Sequence, residues 1–89
     1  MSNRKDILNQ AMQATSGDRN EKYGEPENNF AKIASLWNAY FENGFFCAHD
    51  VAMMLALMKV ARISSGMTED SYADLCGYAA CAGELALNK

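Results

Sequence analysis

The chain has 89 residues, of which 49% are hydrophobic and 21% are charged, and its formal net charge is −3. This length suits one domain, and the apolar fraction excludes an intrinsically disordered chain. The acidic balance argues against a broad contact with nucleic acid, which normally requires a basic surface. We therefore expect a single helical domain over residues 1–89, with nucleic acid not among its partners.

The sequence carries no pattern of a targeting segment or of a metal site. Its N-terminal residues contain no apolar signal region, and its longest apolar run, VAMMLALM, covers only Val51–Met58. A helix needs about 20 apolar residues to span a bilayer, so we expect no membrane contact and a cytoplasmic location. The three cysteines and the single histidine lack zinc-site spacing, so we predict reduced cysteines that pack as small hydrophobic residues.

Hydrophobic periodicity predicts four helices and no strand. Apolar residues recur at intervals of three and four over Asn3–Thr15 and Glu27–Glu42, as on one face of a helix. The third helix, Asp50–Ser64, is apolar nearly all round, which predicts a central position in the bundle or in an oligomer. The fourth begins after the capping residue Thr68 and continues to about Leu87, and its many Ala, Gly and Cys residues permit close helix approach. The predicted fold is a small all-α bundle that assembles as a homo-oligomer, because so short a chain hides little apolar surface.

Two charged pairs are expected to meet at one end of the third and fourth helices. Lys59 and Arg62 share a face of one helix, and Asp70 and Asp74 share a face of the next, since each spacing is about one turn. Two interpretations stay open. One is a structural salt-bridge cluster favoured by the helix dipoles. The other is a phosphate site, in which the cations bind phosphate oxygens and the Asp pair binds Mg²⁺ or a ribose hydroxyl.

A long polar stretch, Ser16–Asn29, separates the first two helices. Loops of this length in compact domains usually have a function. Its residues Arg19, Lys22 and Tyr23 offer two cations and an aromatic ring to a nucleotide, and an ordinary solvated loop is the alternative. Trp37 and Tyr40, three residues apart on the second helix, are predicted to lie in the core rather than to form a base-stacking platform.

Three sequence blocks carry a family resemblance: DRNEKYGEPENNFAKIASLW, DVAMMLALMKVARI and EDSYADLCGYAA. In this order they resemble a family of small phage-encoded helical proteins of unknown function. More distantly, they resemble the MazG-like all-α nucleotide pyrophosphohydrolases, which hold Mg²⁺ with E-x-x-E and E-x-x-D motifs. This chain contains no E-x-x-E, and only Asp70 and Asp74, with Glu69, resemble the second motif. The resemblance therefore favours nucleotide binding over hydrolysis.

The expected function is that of a phage nucleotide-binding protein in the cytoplasm of the infected host. A helical oligomer would hold a phosphorylated nucleotide or a nucleotide-derived immune signal, a counter-defence role by sequestration that needs no cofactor. The residues expected to bind this ligand are Arg19, Lys22, Tyr23, Lys59, Arg62, Asp70, Asp74 and Tyr78. The alternative is a Mg²⁺-dependent nucleoside triphosphate pyrophosphohydrolase with Asp70 and Asp74 on the metal. A third hypothesis is an interaction protein whose ion pairs are purely structural.

Overall fold

A computed structural model describes the backbone of residues 2–16, 25–66 and 69–88. Within these ranges the chain forms four helices: α1 (Arg4–Thr15), α2 (Pro26–Tyr40), α3 (Ala48–Ser65) and α4 (Glu69–Leu87). The described ranges contain no strand, so the all-α prediction is confirmed.

Local chemistry explains where three of the helices begin. At α1, Asn3 accepts a hydrogen bond from the Asp6 N–H at 3.0 Å, and Asp6 accepts one from the Asn3 N–H at 3.2 Å. At α2, Pro26 occupies the first turn, where its missing N–H costs nothing. α3 begins at Ala48, two residues before the predicted start, because Asp50 caps the helix from its third position. The predicted cap of α4, Thr68, lies outside the described residues.

The helix at the centre of the bundle is α4, which packs against each of the other three helices. The expectation that α3 would be central in its own bundle is therefore wrong, and a central place for it in an oligomer stays a prediction. α3 packs against α4 and α2, and its remaining face is open to solvent. Small side chains explain the difference, because they let several helices approach α4 closely.

Gly77 is the position on α4 where close approach is most evident. A Cβ atom added to Gly77 would lie 3.2 Å from Cγ2 of Thr15 on α1, whereas one added to Gly83 would meet nothing within 4 Å. The expected close packing of small residues is thus confirmed at Gly77 but not at Gly83.

The core joins α2, α3 and α4 through Phe30, Ala34, Val51, Ala52 and Ala82. Trp37 is half-buried and packs edge-on against Phe46 with ring centroids 5.5 Å apart. Tyr40, in contrast, is 83% exposed, so its predicted core position is wrong. α2 ends at Tyr40, and the chain turns away there towards α3. No helix in the described part of the chain has the length and apolar character needed to cross a membrane.

Candidate functional site

The structure brings together one member of each predicted charged pair. Nζ of Lys59 on α3 lies 2.9 Å from Oδ2 of Asp74 on α4, and the two side chains are 13% and 38% exposed. Lys59 reaches this position because it projects from the side of α3 that packs against α4. The predicted cluster at the end of the α3–α4 hairpin is therefore present as a half-buried ion pair.

The other two members, Arg62 and Asp70, are exposed. The described part of the chain holds no ion pair for either of them, whereas Lys59 and Asp74 form a salt bridge. Arg62 follows Lys59 by three residues, so its guanidinium starts about one turn further along α3. The site thus consists of a neutralised pair beside an exposed cation.

The predicted loop residues Arg19, Lys22 and Tyr23 lie outside the described residues. Residues on either side of that stretch contact α4. Thr15 approaches Gly77, and the Phe30 ring lies 6.2 Å from the Tyr78 ring, centroid to centroid. Both contacts fall within about one turn of Asp74. Tyr78 itself is half-buried and packs against the core.

The donor set does not fit a magnesium site in the described residues. A Mg²⁺ ion needs several convergent oxygen ligands. Oδ2 of Asp74 already accepts the Lys59 ammonium, and no three acidic, histidine or cysteine side chains come together anywhere in the described ranges. The described residues therefore do not by themselves form a Mg²⁺ site.

Two other ionisable groups have shifted pKa values, and each has a structural cause. The backbone N–H of Cys47, and then its thiol, donate to the Asp50 carboxylate at 3.0 and 3.4 Å, which lowers the pKa of that carboxyl. Burial raises the pKa of the Cys81 thiol, and the nearby Glu84 and Glu27 add to this shift. Cys81 and Cys76 are half-buried, as predicted for cysteines that pack as small hydrophobic residues, whereas Cys47 is exposed and the prediction is wrong there.

The sequence predicted excess apolar surface but did not locate the two exposed apolar surfaces that the structure shows. The first is the aromatic corner between α2 and α3, made of Tyr40, Phe41 and Phe45, all exposed. The second is the α3 stripe, made of the exposed residues Met53, Met54, Leu57 and Val60. The run AYFENGFF, with its concentration of aromatics around Asn43-Gly44, was the signal for the corner. The sequence could not indicate the α3 stripe, because α3 is apolar nearly all round and no polar face marks its exposed side.

Residues 6–86 match the model of a protein family described as "Domain of unknown function (DUF6378)". The chain belongs to this family. The DUF6378 chain is 42% identical over 76 residues to the Gene 55 protein of Mycobacterium phage D29, covering 84% of this chain and 50% of that protein. It is 39% identical over 74 residues to the Gene 55 protein of Mycobacterium phage L5, covering 82% of this chain and 47% of that protein.

This DUF6378 chain thus spans about half the length of the curated relatives it matches. No solved structure matches it. The comparisons confirm the expected resemblance to a phage protein family of unknown function. The more distant likeness to MazG-like enzymes stays a prediction.

Proposed function

We propose that this protein is a phage nucleotide-binding protein, a MazG-like homo-oligomer that holds a phosphorylated nucleotide or a nucleotide-derived immune signal. The observation that carries the proposal is the exposed guanidinium of Arg62, which stands beside the half-buried Lys59–Asp74 pair. Arginine binds phosphate oxygens through two parallel hydrogen bonds. The end of the α3–α4 hairpin is therefore the proposed phosphate position.

The Lys59–Asp74 pair has a different part in this proposal. Its charges neutralise one another, and the Lys59 side chain is only 13% exposed. The pair therefore orients the hairpin end, while the attraction for an anion comes from Arg62. Asp70, exposed in the first turn of α4, is the proposed acceptor for a ribose hydroxyl.

The residues that flank the stretch with Arg19, Lys22 and Tyr23 support a part for this stretch in binding the anion. The chain leaves α1 beside Gly77 and re-enters the bundle where Phe30 meets Tyr78. Arg19 follows Thr15 by four residues and Lys22 precedes Pro26 by four, so each is joined to a described helix end by at most about 14 Å of chain. These short tethers support a contribution of the two cations to the same anion.

The test is a binding measurement on the pure protein with Mg²⁺ and a nucleotide panel. Calorimetry would be run with nucleoside triphosphates and cyclic dinucleotides, and any released pyrophosphate would be measured in parallel. We expect binding without turnover, and Arg62→Ala should weaken binding by about 1.5–3 kcal/mol, the value of a charge-assisted hydrogen bond. Arg4→Ala is the matched control, since Arg4 is an equally exposed arginine on α1.

Three results would contradict the proposal. These are wild-type protein that binds no member of the panel, equal losses in Arg62→Ala and Arg4→Ala, and Mg²⁺-dependent turnover abolished by Asp74→Asn in a folded protein. The last result would favour the pyrophosphohydrolase. Melting curves for each variant separate a lost ligand contact from a lost fold.

A further inference from the structure

The buried core of this bundle is thin. In the described ranges, six of the eight buried hydrophobic residues are alanines, and the two larger ones are Phe30 and Val51. Many large apolar side chains lie at the surface instead. The radius of gyration is 13.8 Å, against about 12 Å for a compact chain of this length. The bundle thus leaves unburied the apolar surface that a domain normally hides.

The aromatic corner is the most exposed part of this surface. Phe45 is 91% exposed, Tyr40 is 83% exposed and Phe41 is 60% exposed. Tyr40 and Phe41 stack edge to face with ring centroids 5.3 Å apart. The only charged residue between Tyr40 and Phe46 is Glu42. An anionic, cation-free aromatic surface suits an apolar partner and not a nucleic acid.

Hydrogen bonds hold the aromatic corner in one conformation. The Asn38 side chain donates to the Phe46 carbonyl at 2.9 Å and accepts from the Phe46 N–H at 2.7 Å. Gly44 closes the turn against Asn38, because a Cβ atom there would lie 2.9 Å from Oδ1 of Asn38. Aromatic side chains on a fixed backbone lose little entropy on binding. The corner is thus preorganised for docking.

The α3 stripe is a second apolar surface with complementary properties. Met53, Met54, Leu57 and Val60 lie on the side of α3 opposite to Val51 and Ala52. No charged residue occurs between Val51 and Met58. Methionine side chains adapt to irregular partners and make favourable contacts with aromatic rings. The stripe is thus a flexible receptor for rigid aromatic groups.

We infer that two copies of this chain form a symmetric dimer in which the aromatic corner of each copy docks on the α3 stripe of the other. The seven residues of both surfaces together expose roughly 800 Å² per copy, so a dimer that covers nearly all of this area reaches the standard interface size. Either surface alone would fall well short of that area. This match of chemistry and area supports a second copy as the occupant.

The position of the corner relative to the stripe fits twofold symmetry. Phe45 precedes α3, and the stripe covers its middle turns. When two α3 helices pair antiparallel through their first halves, the segment that precedes one helix lies beside the middle turns of the other. Each corner then reaches the partner's stripe, and the two contacts are identical, as twofold symmetry requires.

The test compares the mass of the protein in solution with that of three variants, by light scattering and sedimentation at micromolar concentration. Wild-type protein should have twice the 9.8 kDa of one chain. Phe45→Lys in the corner and Leu57→Glu in the stripe should each raise the dissociation constant by about thirtyfold or more, as expected for a central interface residue. Leu87→Glu is the control, because Leu87 is 85% exposed but belongs to neither surface.

Mixing the two interface variants tests the pairing itself. A heterodimer of Phe45→Lys with Leu57→Glu retains one intact corner-on-stripe contact, and the other contact joins opposite charges. We therefore expect the mixture to dimerise at concentrations where each variant alone is monomeric. Circular dichroism of each variant verifies that the helices are intact.

Two results would overturn the inference. One is a monomeric wild-type protein, which would leave the surfaces to a different partner. The other is a mixture that stays monomeric, which would show that the corner and the stripe do not contact each other. This inference rests on the oligomer in the proposed function and specifies its interface, but it uses no residue of the phosphate site. A dimer that binds no nucleotide, or a monomer that binds one, would therefore separate the two proposals.

Discussion

At the start of α3, the carboxylate of Asp50 accepts both the backbone N–H and the thiol of Cys47. These bonds satisfy a backbone donor that the first turn of a helix leaves unpaired. They also favour the charged carboxylate, so the pKa of Asp50 in the folded protein lies below its ordinary value. A carboxylate in the first turn of α3 thus links the stability of this helix to pH.

Asp50→Asn should lower the stability of the protein at neutral pH, and the difference from wild type should disappear in acid. Because the folded pKa is depressed, the stabilisation is present above the unfolded carboxyl pKa of about 4 and is lost as the pH falls through the folded value. Urea unfolding of both proteins across this range measures the effect. Glu84→Gln, at an exposed carboxylate outside both apolar surfaces, is the control. A destabilisation that is the same at every pH would contradict this account.

Between α1 and α4, the contact depends on the absence of a side chain at Gly77. Thr15 is held there by hydrogen bonds from its hydroxyl to the carbonyls of Ala11 and Met12, at 3.0 and 3.2 Å. Its methyl group therefore has limited freedom to move away from a new Cβ atom. The distance between α1 and α4 at this point is therefore set by the small size of Gly77.

Gly83→Ala should raise the free energy of unfolding by about 1 kcal/mol, because alanine favours the helix and the added methyl meets open space. Gly77→Ala should gain less, since its methyl must displace the Thr15 side chain. Denaturant unfolding of both variants measures the difference. Thr15→Ser removes the obstructing methyl but keeps the hydroxyl, so the Gly77→Ala gain should be restored in that background. An equal gain at both glycines in the wild-type background would refute the close contact.

For the whole molecule, folding and assembly should be coupled. A bundle whose buried residues are mostly alanines, and whose principal extents are 46 × 31 × 24 Å, has little core relative to its surface. If two copies cover each other's apolar surfaces, the dimer contributes stability that a monomer lacks. The apparent stability of such a protein depends on its concentration.

The melting temperature of the wild-type protein should therefore rise as the protein concentration is increased. That of Phe45→Lys should be lower and nearly independent of concentration, because it unfolds as a monomer. Calorimetry over a hundredfold range of concentration provides the measurement. A wild-type melting temperature that does not change over this range would argue against coupled folding and assembly.

Local and helical features were determined by the sequence alone. Periodicity predicted the described ends of the four helices to within about two residues. It could do so because residues three and four apart in sequence lie on one face of a helix. Spacing also placed Lys59 and Asp74 together, since a short turn leaves two helices few ways to pair. In both cases the interacting groups are close in sequence or are joined by a short connection.

Only the tertiary structure decided which surfaces are buried. The apolar helix α3 was expected at the centre of the bundle. Burial, however, depends on which helix faces meet, and α4 is central because its small residues let the other helices approach it. The same uncertainty hid the exposure of Tyr40 and Phe45, because an aromatic residue in a sequence suits a core and an interface equally well. For the same reason the sequence could not show that Lys59 is half-buried and Arg62 exposed. Which side of a helix turn is buried depends on helix packing, which involves residues far apart in sequence.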